Sequence, residues 1–105
     1  MSVEYIPFDP TLIGKEEIII WCPEKADYAN LAEVLEDYGV RWVDGDTPTG
    51  WFGYAEHSNA RHIDKKRDMW RGSNWFYESE RRYQCCVFMK WPSEQEVTPD
   101  VGDLI

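Results

Sequence analysis

The hydrophobic rhythm of the chain changes once between Glu16 and Gly39, and the change predicts its two clearest elements. Residues 16–22, EEIIIWC, set Ile18, Ile19, Ile20 and Trp21 in succession, the pattern of a strand covered on both faces. Pro23 ends it. Residues 24–38 then place Tyr28, Leu31, Leu35 and Tyr38 at i, i+3, i+7 and i+10, with Ala32 beside them. That is the single apolar stripe of an amphipathic helix. Glu24 and Asp27 suit its positive start, and Gly39 stands where a left-handed residue closes a helix. Glu33, Glu36 and Asp37 fall on its outer face, near the negative end of the dipole.

Beyond Gly39 the pattern is shorter in period. Val40 to Val43 predict a brief strand, and DGDTPTG at 44–50 a turn, because Asp-Gly and Thr-Pro pairs favour one. Trp51 to Glu56 alternate large and small side chains, as in a strand with a bulge or close approach at Gly53. Residues 57–66 are polar and read as a loop. Residues 67–78 read as a hairpin, Arg67–Trp70 against Trp75–Glu78, with a short helix over 61–70 as its competitor. Residues 81–91 predict a long last strand, with Tyr83, Cys85, Val87, Met89 and Trp91 on one face. Gln84, Cys86, Phe88 and Lys90 take the other, more polar at its ends.

The expected fold is α+β: one helix on a twisted, mostly antiparallel sheet of four to five strands, spanning residues 16–91. Pro7 and Pro10 make residues 1–15 an extended arm, packed by Tyr5, Ile6, Phe8 and Leu12. Residues 92–105 read as an acidic, mobile tail.

Charge narrows the choice of partner. The net charge of −9 is uneven: residues 1–60 hold twelve acids and three bases, whereas 61–91 hold eight bases and four acids. So acidic a chain is a poor general binder of nucleic acid but suits a basic protein surface. Sixteen aromatics in 105 residues exceed what so small a core hides, which places some of them on the surface. Three cysteines, two of them adjacent, do not make a disulfide framework. With no charged-then-apolar leader and no long apolar run, the expected location is cytoplasmic, away from membranes.

Candidate chemistry is sparse. Asp44 and Asp46 could offer oxygens to Mg²⁺ or Ca²⁺, but the loop lacks the further ligands of an EF-hand and the lysine of a phosphate cradle. His57 and His62, with Asp64 nearby, lack third and fourth ligands at a recognisable spacing and read as surface histidines. Cys22 precedes the helix but has no resolving cysteine, so it reads as packing. Cys85 and Cys86, if in a strand, point to opposite faces and cannot share a metal. No catalytic residue, metal or cofactor is expected. Arg61, Lys65, Lys66, Arg67 and Arg71, interleaved with Trp70 and Trp75, form the one basic and aromatic segment.

The strand, the helix ending in LEDYGVRW and the VDGDTP that follows carry a Gly-x-x-Trp-x-x-Gly element at Gly39, Trp42 and Gly45. Over residues 16–50 this resembles small proteins encoded by bacteriophages and prophages, most of unknown function. The motif is structural and implies no catalytic residue. What the resemblance implies is a setting: small acidic phage proteins often bind and block or redirect a host protein, inhibitors of CRISPR and other defence nucleases among them.

The expected function is therefore that of a non-enzymatic accessory protein of the host cytoplasm, binding a host or phage protein with a basic surface. Glu33, Glu36, Asp37, Asp44 and Asp46 are the expected acidic contact, and Trp51, Tyr54 and Trp70 the anchors. The alternative is a small nucleic-acid-binding domain that uses residues 61–75, including Arg61, Lys65, Lys66, Arg67, Trp70 and Trp75. An exposed edge strand and surplus aromatics would also suit a homodimer.

Overall fold

The consecutive isoleucines form β2 (Ile18–Trp21), and all three are fully buried. Such a strand needs cover on both sides, and a computed structural model, which describes residues 3–55 and 57–91, supplies it. Ile18 and Ile20 point to one face, with Tyr28, Leu31, Ala32 and Leu35 of α1 (Tyr28–Asp37). Ile19 points to the other, with Phe88 and with Tyr77 of α2 (Asn74–Ser79). The fold is α+β, with a mixed sheet between one main helix and one short one.

The sheet has six strands among the described residues, in the order β1-β6-β2-β4-β5-β3. The others are β1 (Ile6–Pro7), β3 (Arg41–Trp42), β4 (Ala60–Ile63), β5 (Asp68–Gly72) and β6 (Val87–Lys90). Three pairings are parallel, β1 with β6, β2 with β6 and β3 with β5. Two are antiparallel, β2 with β4 and β4 with β5. The expectation of four to five mostly antiparallel strands is thus corrected on both counts. Both edges are two-residue strands, and Pro7 lacks an N–H on one of them. Such edges offer little backbone for pairing with a second chain.

The helix follows its stripe. The N–H of Gly39 donates to the Glu36 carbonyl (3.0 Å) and that of Val40 to the Leu35 carbonyl (3.0 Å). Gly39 takes φ +83° between them. This is a Schellman closure, in which a glycine accepts a left-handed conformation at little cost.

The middle of the chain departs from its sequence reading. Residues 60–63 are not loop but β4, hairpinned to β5 through Asp64–Arg67. Asp64 Oδ1 accepts from the N–H groups of Lys66 (2.9 Å) and Asp68 (3.0 Å), and Arg67 takes φ +69°. An aspartate-closed turn thus does the work usually given to glycine. The expected partner strand at 75–78 is instead α2, capped by Ser73, whose Oγ accepts from the Phe76 N–H (3.2 Å). Gly72 makes room for it: a Cβ there would lie 2.9 Å from the Tyr77 ring. Residues 51–55 carry no strand, and the long final strand shortens to Val87–Lys90, preceded by a 3₁₀ turn at Arg81–Tyr83. Cys86 and Phe88 are buried on its second face, and the polar ends Gln84 and Lys90 are exposed. Cys85 and Cys86 lie in a turn, so the strand rule for their side chains does not apply. Near the N-terminus Phe8 packs in the core, while Ile6, expected to pack, stays exposed on the edge strand. The tail expected at 92–105 lies outside the described residues.

Candidate functional site

A groove of about 800 Å³ opens beside the start of α1. Lys25, Ala26 and Ala29 form one wall, and Trp51, Phe52 and Tyr54 the other, with Arg71 at the rim. Trp51 is 44 % exposed and Phe52 42 %, large apolar surface for a chain of this size. Neither ring hangs loose. Trp51 lies 4.9 Å from Trp42 between ring centroids and under the Arg71 guanidinium at 5.1 Å. Its carbonyl accepts from Trp42 Nε1 at 2.7 Å. Phe52 meets Tyr28 edge to face at 5.7 Å.

This irregular segment is held from inside the protein by Arg61, which is completely buried. Its guanidinium donates to Phe52 O, Ser58 O, Ala60 O and the Tyr28 hydroxyl, each at 2.8 Å. It also sits 4.5 Å from the Tyr28 ring centroid and 5.1 Å from that of Trp42. Among the described residues no carboxylate lies within ion-pair distance of it. Carbonyls and π faces therefore carry the desolvated charge, which ties Phe52 and Ser58 to the sheet. Arg61 cannot also serve a nucleic-acid surface, so its expected place there is corrected.

The other basic and aromatic candidates scatter. Lys65, Lys66 and Arg67 sit at the tip of the β4–β5 hairpin. Trp70 lies on the opposite face of the sheet from Met69, stacked on His62 at 5.2 Å. Trp75 projects from α2 with 61 % of its surface exposed. Of the three expected anchors, Trp51 and Tyr54 meet in the groove and Trp70 does not. Tyr54 acts as a rivet there, its hydroxyl donating to the carbonyls of Cys22 (3.0 Å) and Pro23 (3.1 Å). Phe52 was not singled out in the sequence, although it stands in the same aromatic run.

The acidic candidates divide differently. Glu33 and Asp37 are exposed on α1, and Asp44 and Asp46 are exposed in the turn after β3. Asp44 Oδ1 accepts from the Asp46 N–H (3.1 Å), so DGDTPTG is a self-closed turn. Glu36 is committed internally: its Oε1 accepts from Thr49 Oγ1 (2.6 Å) and Thr49 N–H (3.1 Å). Those bonds hold its carboxyl below the usual glutamate range. They also fasten the turn to the end of α1. Ala29, Glu33, Glu36 and Asp37 follow one another along a ridge of that helix, so the apolar wall runs on into acids.

A second cluster lies on the α2 face. Glu17 precedes β2, His62 lies in β4 and Cys86 precedes β6, and these three strands are neighbours. One ligand atom from each lies within 4.8 Å of the other two. His62 Nε2 is 3.1 Å from Glu17 Oε1. Its side chain is only 12 % exposed, which corrects its expected place on the surface. Burial pushes the Cys86 thiol up to about 12, with Cys85 and Glu17 adding to the shift. Burial and Asp27 do the same to Cys22, also to about 12, so both are neutral thiols near pH 7.

Compared with models of protein families, with curated proteins and with solved structures, the chain matches none of them. Among the described residues no helix is long and apolar enough to cross a membrane.

Proposed function

We propose that the protein is a non-enzymatic binding module that docks on another protein through the groove and the acidic ridge leading from it. The observation that carries this reading is the pair Trp51 and Phe52, two large exposed rings held in fixed positions. Rings held in place by the protein lose little entropy on binding, and such residues are the usual source of interface energy. The ridge gives the partner its chemistry. One and two turns beyond Ala29, the same helix ridge carries the exposed Glu33 and Asp37, so the fitting segment carries an apolar anchor followed by basic side chains. The net charge of −9 draws the same kind of partner.

The test is capture of partner proteins from cell lysate by the wild type, by Trp51→Ala/Phe52→Ala, and by Glu33→Lys/Asp37→Lys. Glu36 is left intact because it holds the turn. The captured protein should bind the aromatic variant about 100-fold more weakly. It should bind the charge-reversed variant more weakly as well, with a flatter dependence on salt. Undiminished capture by both variants would refute the reading.

A further inference from the structure

The α2 face holds a group of side chains that the docking function does not use. The sheet register brings Glu17, His62 and Cys86 together. Ile19 stands opposite both His62 on β4 and Phe88 on β6. Cys86 packs in one cluster with Ile19 and Phe88, and Glu17 reaches His62 on the same face. The N–H of Val87 donates to the Glu17 carbonyl (2.9 Å), which fixes the two chain segments against each other.

The imidazole is fixed as well. Trp70 stacks on it at 5.2 Å with the planes 22° apart, and Tyr83 meets it edge-on at 5.1 Å. Among the described residues its only hydrogen-bond partner is Glu17. The result is an oxygen, a nitrogen and a sulfur converging on one point, two of them on nearly buried side chains. An ion pair alone explains Glu17 and His62, but it gives no reason for the thiol beside them.

We propose that Glu17, His62 and Cys86 form a Zn²⁺ site with three protein ligands and a fourth position left for water or an incoming donor. This donor set is one that Zn²⁺ accepts, and three ligands with one open position mark sites that exchange a ligand. Bonds of about 2.0–2.3 Å at tetrahedral angles require donor atoms roughly 3.5 Å apart. The present limit of 4.8 Å therefore closes by about 1 Å, and the half-exposed Glu17 side chain has the freedom to move. The Cys86 S–H bond breaks as the S–Zn bond forms, and its proton passes to solvent. The exposed Cys85 takes no part.

Titration of the full chain with Co²⁺ under thiol-reducing conditions reads the site directly. One equivalent should bring up the thiolate-to-Co²⁺ charge-transfer band with tetrahedral d–d bands, and Zn²⁺ should bleach both. Cys86→Ser should lose the charge-transfer band, while Cys85→Ser should keep it. Glu17→Gln, on a side chain exposed enough to leave the fold intact, should weaken Co²⁺ binding by more than roughly tenfold, the least expected when even an outer partner is lost. No charge-transfer band in the wild type would overturn the proposal. So would a band that survives Cys86→Ser or disappears with Cys85→Ser.

Discussion

The two faces of the sheet are built on different terms. The α1 face is a broad apolar layer in which one long stripe of Tyr28, Leu31, Ala32 and Leu35 covers Ile18, Ile20, Ile63, Met69 and Met89. The α2 face is a smaller cluster around Ile19, Ala60, Tyr77 and Phe88, ringed by aromatics and polar groups. The first face stabilises the fold by apolar area and holds the buried Arg61 against Tyr28 and Trp42, beneath the groove. The second places titratable groups close to its centre. Where burial is thickest, exposed aromatic rings line a groove outside it. Where burial is thin, it gathers ligand atoms inside.

Substitutions on each face measure that difference. Arg61→Met should cost the most, about 3 kcal/mol. It leaves Phe52 O, Ser58 O, Ala60 O and the Tyr28 hydroxyl without this donor, and a bond lost from a buried acceptor costs about 1–3 kcal/mol before relaxation. Denaturant unfolding reads the cost, and protease cleavage in the 52–58 segment should rise with it. A stability equal to the wild type would mean that the groove segment stands without its clamp. On the other face Gly72→Ala should cost about 2 kcal/mol, because the new Cβ must push the Tyr77 ring away. Amide hydrogen exchange should show the loss in α2 before α1. Ser73→Ala should be the mildest, about 1 kcal/mol, by removing the α2 cap. If the two α2 changes unfold α1 as readily as α2, the faces form one cooperative unit and the distinction between them fails.

The same division explains how much was legible in the sequence. The α1 face declares itself: three consecutive isoleucines need two covers, and a stripe at helical spacing ends at a glycine. The α2 face does not. Trp75, Phe76 and Tyr77 are strand-formers by propensity, and the only helix signal before them is Ser73 as a cap. The strand Ala60–Ile63 reads as polar because Arg61 counts as a surface residue until its four acceptors are seen. Its hairpin is hidden because Asp64 and Arg67 close a turn that contains no glycine.

At the groove, Trp51 and Tyr54 stood out as part of an aromatic run, and the self-closed turn at DGDTPTG followed from its residue types. The Glu36–Thr49 bonds, which join turn to helix, depend on packing and left no mark in the pattern. Glu17, His62 and Cys86 could not be found by spacing at all. Glu17 and His62 are 45 residues apart and become neighbours only through the strand order β6-β2-β4.

That strand order also governs how the chain assembles during synthesis. β6 follows the other strands in sequence yet sits between β1 and β2. Until residues 87–90 have left the ribosome, one side of Ile18–Trp21 has no neighbour and Ile6–Pro7 has nothing to pair with. The hairpin of β4 and β5 and the helix α1 need only local contacts and can form early. The two parallel pairs of β6 close last, so the nascent chain carries an open hydrophobic strand until β6 emerges, the interval in which a chaperone has most to protect.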